Sequence, residues 1–328
     1  MPDILIQGRD GFFSAYRAPA RSGKGPGIVL IQEIFGVNRV MRERADWLAG
    51  ENYTVLCPDL FWRQEPGIQL NEFTQPEWDK AFQLYQGFNE GKGVEDIDAT
   101  IKFLRKDPSC SGKVGTVGYC LGGKLAYLSA TRTDADCAVG YYGVGIEKAL
   151  GEAGNIKKPL TLHIAKLDKF VPPEAQAAIH AALDGNAKVT TYDYEGCDHA
   201  FARNGGDHYN AEAANLANGR TLAFFKRHLA APVAAPKPAA PKPDARQGSL
   251  TFADSPKPAP AAPTAAKPAA AAKPAAKPAA KKPKAKAKAK KPAAKRAAPK
   301  RKVAKKPKAK AKKPAKRAAK RNGKRGRR

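Results

Sequence analysis

Acidic residues are nearly missing from one end of this 328-residue chain. Residues 231–328 contain 2 Asp or Glu against 33 Lys or Arg, whereas residues 1–230 contain 28 acidic and 26 basic residues. The formal net charge of +29 therefore belongs to the C-terminal part, and residues 1–230 have a net charge of −2. This division excludes a uniformly basic globular protein. It predicts a near-neutral folded body (residues 1–230) followed by a polycationic basic segment (residues 231–328).

The sequence also lacks the patterns of secreted and membrane proteins. The N-terminus has no basic stretch followed by an apolar run, and no run approaches the roughly 18–20 apolar residues of a spanning helix. The five cysteines are odd in number and form no CxxC pair, which argues against a disulfide framework or a zinc site. We therefore expect a cytosolic protein that uses no metal and no cofactor. No feature of the sequence indicates an oligomer, so a monomer is the expectation.

The basic segment has no aromatic residue after Phe252 and holds 17 of the 27 prolines. Residues 231–280 are expected to be an Ala/Pro/Lys-rich linker, and residues 281–328, with 26 basic and no acidic residues, a disordered polycationic tail. Its composition resembles the Lys/Ala/Pro-rich arms of linker-histone-like bacterial proteins. Such a polycation would bind nucleic acid without sequence preference, and association with the nucleoid would follow. Anionic membrane, polyphosphate, an acidic protein, or no dedicated partner at all are the alternatives.

Short apolar runs alternate with helical patterns through the body. Strands are predicted at 27–32, 54–58, 113–119, 138–143, 159–165 and 188–194. Helices are predicted near 40–50, 122–131, 174–183 and 210–228, and Asp96 is expected to cap a helix beginning at Ile97. This alternation predicts an α/β fold, with a mostly parallel sheet and helices on both faces. Ligand sites in such sheets lie beyond the carboxyl ends of the strands.

A glycine-flanked cysteine is the most informative feature of the body. The predicted strand 113–119 leads into Gly118-Tyr119-Cys120-Leu121-Gly122, and an apolar helical pattern follows. This is the context of a nucleophile elbow, with Cys in place of Ser. A Cβ at Gly118 or Gly122 would collide with the neighbouring strand or helix, and the N–H of Leu121 would be placed to stabilise an oxyanion. The alternative is a buried structural cysteine in an ordinary glycine-rich turn.

A thiol nucleophile needs a base, and the base needs a group that orients it. In this architecture the acid and then the histidine follow the nucleophile along the chain. Asp168 follows the strand 159–165, and His199 follows the strand 188–194, so both stand at carboxyl ends of strands. His163 lies inside a strand and is expected in the core. The alternative for His199 is a solvated loop histidine, but the order Cys120, Asp168, His199 favours a triad.

Six short motifs stand in the body: QEIFGVN at 32–38, CPDL at 57–60, GYCLGG at 118–123, VGYYG at 139–143, DKFVP at 168–172 and HAF at 199–201. Together they resemble the dienelactone hydrolase (carboxymethylenebutenolidase) family over essentially all of residues 1–230. The resemblance implies an α/β-hydrolase fold and hydrolysis of an enol-lactone to a maleylacetate-type product during the degradation of aromatic compounds. By motif, Cys120 is the nucleophile, His199 the base and Asp168 its orienting acid.

The resemblance extends to the groups around the nucleophile. Glu33 matches a carboxylate that contacts the resting thiol, and its charge would keep that thiol protonated until substrate binds. The alternative for Glu33 is a salt-bridged loop acid. The backbone N–H groups of Ile34 and Leu121 match the oxyanion hole of the family.

The substrate-binding residues match the family only in part. Arg203 matches one of two arginines that bind the substrate carboxylate, but the position of the other holds Trp78. Tryptophan cannot replace a bidentate arginine, so the resemblance leaves the identity of the substrate open. Lys80 and Arg63 are the candidates for a replacement cation.

Two functions of different classes fit these observations. The first is a carboxylic-ester hydrolase that opens a lactone or a related small ester, with a basic segment that binds polyanions. The second is a nucleic-acid-associated protein whose hydrolase body is a scaffold of little or no activity. Retention of Cys120, Asp168, His199 and Glu33 together favours the enzyme, because a scaffold has no need of all four.

Overall fold

The computed structural model describes residues 3–230, and the predicted linker and tail lie outside the described residues. The expectation that residues 231–328 are disordered therefore stays a prediction. The strands are β1 (Ile4–Gln7), β2 (Phe12–Ala18), β3 (Gly25–Ile31), β4 (Thr54–Pro58), β5 (Cys110–Tyr119), β6 (Cys137–Tyr141), β7 (Leu160–Ala165) and β8 (Val189–Tyr194). The α-helices are α1 (Arg39–Gly50), α2 (Gln75–Gln86), α3 (Glu90–Lys106), α4 (Leu121–Arg132), α5 (Pro173–Leu183) and α6 (Ala211–Leu229), and a 3₁₀ helix spans Ile146–Asn155.

The eight strands form one sheet in the order β1-β2-β4-β3-β5-β6-β7-β8. The pairs β1–β2 and β2–β4 are antiparallel, and every pair from β4 to β8 is parallel. The mostly parallel sheet predicted from the alternation of strands and helices is confirmed. Its central strands are apolar because both of their faces are covered.

Helices cover both faces of the sheet, as two neighbouring residues of β5 show. Val114 packs on the side of Leu104 in α3, whereas Gly115 faces Phe225 and Leu229 of α6. Successive side chains of a strand point to opposite faces, so α3 and α6 lie on opposite sides. The carboxyl ends of β3, β5, β7 and β8 meet at one edge of the sheet, where the loops that follow them converge.

Part of the prediction around residue 96 is wrong. Helix α3 begins at Glu90, and its N-cap is Asn89, whose side chain accepts a hydrogen bond from the N–H of Lys92. Asp96 lies inside the helix and is buried, with its carboxylate 3.0 Å from Trp62 Nε1 and paired with Arg63. A carboxylate preceding an apolar stripe has the pattern of a cap, but the partners of Asp96 come from a distant loop. The β1–β2 hairpin and α2 were also not predicted.

No helix in residues 3–230 has the length and hydropathy needed to cross a membrane.

Candidate active site

Cys120 occupies a strained turn between β5, which ends at Tyr119, and α4, which begins at Leu121. Its backbone has φ 56° and ψ −115°, a left-handed conformation that residues other than glycine rarely adopt. A Cβ at Gly118 would lie 1.9 Å from the carbonyl oxygen of Gly122, and one at Gly122 would lie 2.4 Å from that of Ile31. The predicted crowding at both glycines is confirmed. The turn presents Cys120 at the carboxyl edge of the sheet.

His199 and Asp168 come from the loops after β8 and β7 and meet at that edge. His199 Nδ1 lies 2.7 Å from Asp168 Oδ2, and the other oxygen of Asp168 accepts a hydrogen bond of 2.8 Å from the backbone N–H of Phe170. Both side chains are buried. The bond to Asp168 fixes the orientation of the imidazole, and Nε2 is left for chemistry in the cleft that His199 shares with Cys120.

The charge state of His199 depends on its neighbours. Burial by itself would lower the pKa of His199, but the charge of Cys120 and the hydrogen bond to Asp168 outweigh burial and hold the pKa well above its ordinary value. The imidazole can exchange a proton with the sulfur of Cys120, which lines the same cleft. The arrangement can therefore supply a nucleophile and, from the same histidine, a proton for a leaving group.

Glu33 follows β3 and is buried, and its oxygens contact groups other than the thiol. Oε2 accepts a hydrogen bond of 2.9 Å from Arg203 Nε, and the hydroxyl of Tyr142 lies 3.5 Å from Oε1. Within residues 3–230, no hydrogen bond joins Glu33 to Cys120. This geometry matches the salt-bridged alternative for Glu33. Burial would raise its pKa, but Arg203 and Arg44 outweigh burial and lower it, so Glu33 is ionised.

Arg203 pairs with a second carboxylate as well. Its Nη1 lies 3.6 Å from Glu72 Oε1, and only 7% of its side chain is exposed. Arg203 thus lies between two acids at the wall of the cleft, so the arginine predicted to bind a substrate carboxylate is already engaged by the protein.

Sequence reasoning missed Arg44 as a member of this site. Arg44 is buried on α1, its guanidinium lies 3.9 Å from the centre of the Tyr119 ring, and it donates a hydrogen bond of 2.6 Å to the carbonyl of Ala202. Its charge stabilises ionised Glu33. The available signal was an arginine within the otherwise apolar stripe of α1, because a charge on a buried face needs a partner.

The residues predicted to form the oxyanion hole both line the cleft. Leu121 is the first residue of α4, where N–H groups have no acceptor within the helix. Ile34 lies in the loop after β3, directly after Glu33.

The cleft is lined mainly by apolar and aromatic side chains. Trp78 and Phe82 enter it from α2, and the Trp78 ring lies edge-on to Phe35 with 4.9 Å between centroids. The two candidate replacement cations are elsewhere: Lys80 pairs with Glu65, and Arg63 pairs with Asp10 and Asp96. The idea that either restores the missing arginine is therefore wrong for this geometry.

Other titratable groups predicted as structural lie in the core. His163 is buried, with Nδ1 2.8 Å from Tyr194 Oη and Nε2 3.0 Å from Thr221 Oγ1, and burial lowers its pKa to about 3. Cys57 is fully buried in β4, and burial raises the pKa of its thiol. Within residues 3–230, no cluster of three or more His, Cys, Asp or Glu side chains is arranged to hold a metal ion.

Comparison with known proteins gives consistent matches over the body. The model of the dienelactone hydrolase family matches residues 13–229. A relative from Azospirillum brasilense is 49% identical over 241 residues, which cover 70% of this chain and all of the relative. A carboxymethylenebutenolidase from Pseudomonas putida is 42% identical over 237 residues, covering 72% of this chain and 98% of that protein.

Solved structures share the fold at lower identity. A structure from Klebsiella pneumoniae aligns with a TM-score of 0.62 at 24% identity, over 69% of this chain and 98% of the other. The dienelactone hydrolase-like promiscuous phosphotriesterase P91 aligns with a TM-score of 0.58 at 21% identity, over 70% of this chain and 99% of the other. These likenesses confirm the α/β-hydrolase fold expected from the motifs.

Proposed function

The chain belongs to the dienelactone hydrolase family and is a hydrolase of carboxylic esters, and we propose that it opens a lactone or cleaves a small ester through a thioester on Cys120. The observation that carries this proposal is the 2.7 Å contact between Asp168 and His199 beside the strained turn that presents Cys120. Carboxymethylenebutenolidase relatives that the body covers almost completely support the same reaction class.

The proposed reaction has two halves. The Cys120 thiolate attacks the carbonyl carbon, and the carbonyl electrons move to the oxygen, which accepts hydrogen bonds from the N–H groups of Ile34 and Leu121. When the tetrahedral intermediate collapses, the ester C–O bond breaks and the leaving oxygen takes the proton of His199. A water molecule then gives a proton to His199 and attacks the thioester. Cys120 leaves as the thiolate, and the carboxylic acid product is released.

In this reaction we assign Glu33 and Arg203 a role in controlling the resting thiol. Ionised Glu33 lies close enough to His199 and Arg203 for their charges to lower its pKa. Its direct partner is Arg203, so contact between Glu33 and the thiol requires the Arg203 contact to change first. A substrate group, charged or uncharged, that takes the hydrogen bond of Arg203 would free Glu33 to accept a proton. The gating role predicted for Glu33 thus depends on Arg203.

Trapping of the covalent intermediate tests the proposal. The full chain is mixed with 4-nitrophenyl acetate, quenched in acid, and examined by intact-protein and peptide mass spectrometry. We expect release of 4-nitrophenol and an acetyl group on the peptide containing Cys120, and neither in the Cys120→Ala variant. Undiminished hydrolysis by that variant would contradict the proposal.

A second activity is proposed for the basic segment. Its 33 basic and 2 acidic residues favour binding of nucleic acid by counterion release, without sequence preference. A scaffold role for the body is the alternative. The Asp168–His199 pair beside Cys120 argues against it, because a scaffold does not require this geometry.

A further inference from the structure

The geometry of the cleft points to a substrate class: we propose that the enzyme acts on uncharged esters or lactones that place an aromatic or apolar group against Trp78, and that it disfavours substrates with a carboxylate. This inference rests on the proposed hydrolysis at Cys120 and specifies what the same site accepts.

The first support is an aromatic wall beside the nucleophile. Trp78 lies edge-on to Phe35 and stacks on Phe82 with ring centroids 5.5 Å apart and planes 28° apart. The indole N–H donates a hydrogen bond of 2.9 Å to the carbonyl of Glu72, so its polar group is already satisfied. The part of Trp78 that lines the cleft offers apolar surface, which gains free energy when a hydrophobic group covers it.

The second support is the charge balance of the wall. A substrate carboxylate would need a cation, and the arginine that lines the cleft, Arg203, already contacts Glu33 at 2.9 Å and Glu72 at 3.6 Å. An anion placed there would lie beside two carboxylates, and like charges at short range in a buried site repel strongly. Lys80, two residues after Trp78 on α2, pairs with Glu65 instead. An uncharged substrate avoids this repulsion.

The third support is an exposed aromatic side chain beside the catalytic histidine. Phe170, two residues after Asp168, lines the cleft and is 48% exposed, and its ring lies edge-on to His199 with 4.9 Å between centroids. Large apolar side chains that remain exposed at a cleft commonly mark a binding surface for an apolar ligand.

The test uses two esters of the same shape and different charge, 4-isopropylphenyl acetate and 4-carboxyphenyl acetate. The kcat/KM of the full chain for each is divided by the rate constant for alkaline hydrolysis of that ester, which removes the difference in intrinsic reactivity. We expect the neutral ester to be preferred at least about tenfold, equivalent to about 1.4 kcal/mol. A preference for the carboxylate ester would overturn the inference while leaving the proposed hydrolysis intact. No turnover of either ester, nor of 4-nitrophenyl acetate, would contradict the proposed function.

Two variants test whether the preference for the neutral ester depends on Trp78. Trp78→Arg places a cation beside Arg203 and should shift the ratio at least about tenfold toward the carboxylate ester. Phe103→Arg makes the same change of charge on a half-exposed aromatic of α3 outside the cleft and should leave the ratio unchanged. An equal shift in both variants, or in neither, would remove Trp78 from the inference.

Trp78→Leu covers the case in which Trp78→Arg does not fold. It should raise KM for the neutral ester and leave kcat within about twofold, because it removes binding surface and no reacting group. An unchanged KM in Trp78→Leu would also overturn the assignment of Trp78.

Discussion

The body and the basic segment carry similar numbers of cations, 26 and 33, but differ in what surrounds them. In the body 28 acidic residues accompany the cations, and many form ion pairs, such as Arg63 with both Asp10 and Asp96. In the basic segment two acidic residues face 33 cations, so internal neutralisation is impossible. Charged residues of the body act through particular ion pairs, whereas those of the basic segment act through their total charge. Function should therefore be sensitive to single substitutions in the body and to ionic strength in the basic segment.

Salt should produce the largest effect, and only through the basic segment. About ten phosphate contacts give a slope near −9 for log K against log[salt], so affinity for duplex DNA should fall by about 10⁵-fold between 50 and 200 mM salt. Fluorescence anisotropy with two unrelated duplexes measures the slope and the absence of sequence preference.

The matched control for the salt experiment is residues 1–230 alone. The matching 70% of this chain covers one relative over its whole length. We therefore expect the body to fold without the basic segment. The body should not bind DNA, and its esterase activity should equal that of the full chain. If the body bound DNA as tightly as the full chain, DNA binding could not be assigned to the basic segment. If the body lost esterase activity, the basic segment would take part in catalysis.

Single substitutions in the triad should have the next largest effect. Cys120→Ala and His199→Ala should each lower kcat by about 10⁴-fold, and the double variant should be no worse than either, because residues that act as a unit are not additive. Steady-state kinetics measures the losses, and thermal unfolding checks that the fold persists. A double variant whose loss is the product of the two single losses would rule out joint action.

Removal of the charge of Glu33 should have a smaller effect. If Glu33 restrains the thiol, Glu33→Gln should speed alkylation of Cys120 by iodoacetamide about 3- to 10-fold near neutral pH, the consequence of about 1 kcal/mol. Glu72→Gln is the matched control, since it removes the other acidic partner of Arg203 and leaves Glu33 in place. Equal acceleration in both variants would assign the effect to Arg203 instead.

Acid should destabilise the body and leave the charge of the basic segment unchanged. Burial lowers the pKa of His163 to about 3, so between pH 6.5 and 3 the unfolded chain binds a proton that the folded body does not. The free energy of unfolding should therefore fall by up to about 1.4 kcal/mol per pH unit as pH decreases through this range. Urea unfolding of the full chain and of His163→Gln at pH 7, 6 and 5 measures the slope. A variant with the wild-type slope would exclude His163 as the cause.

Much of the fold was predictable because strands buried on both faces form apolar runs that a sequence shows directly. The bounds of β4 match the prediction, and those of β7 and β8 differ by one residue. Asp96 was misread because its partners Trp62 and Arg63 lie more than 30 residues away, and no local pattern reveals such pairing. Tertiary contacts of charged groups are the part of a fold that periodicity does not encode.

The site divides in the same way. The turn at Cys120 was predictable because a turn this tight needs glycine at positions 118 and 122, where a Cβ would clash with the backbone. The pairing of Glu33 with Arg203 joins residues 170 positions apart and was foreseen only as an alternative. Arg44 shows in the sequence only as a charge within the apolar stripe of α1, and that pattern does not name the partner of the charge. The roles assigned to these residues stay predictions until the variants are measured.

Helix α6 is the last element of the described fold, so the body can fold before the basic segment has been synthesised. Helix α6 packs on β5, β6 and β7, and the described fold ends with it. Ribosomes add about 5–20 residues per second, so the basic segment takes roughly 5–20 s more to be made, and domains generally fold as units, N-terminal first. The body therefore has time to bury its core before most of the polycation exists. Ribosomal RNA, the nearest polyanion, would then meet a hydrolase that is already folded.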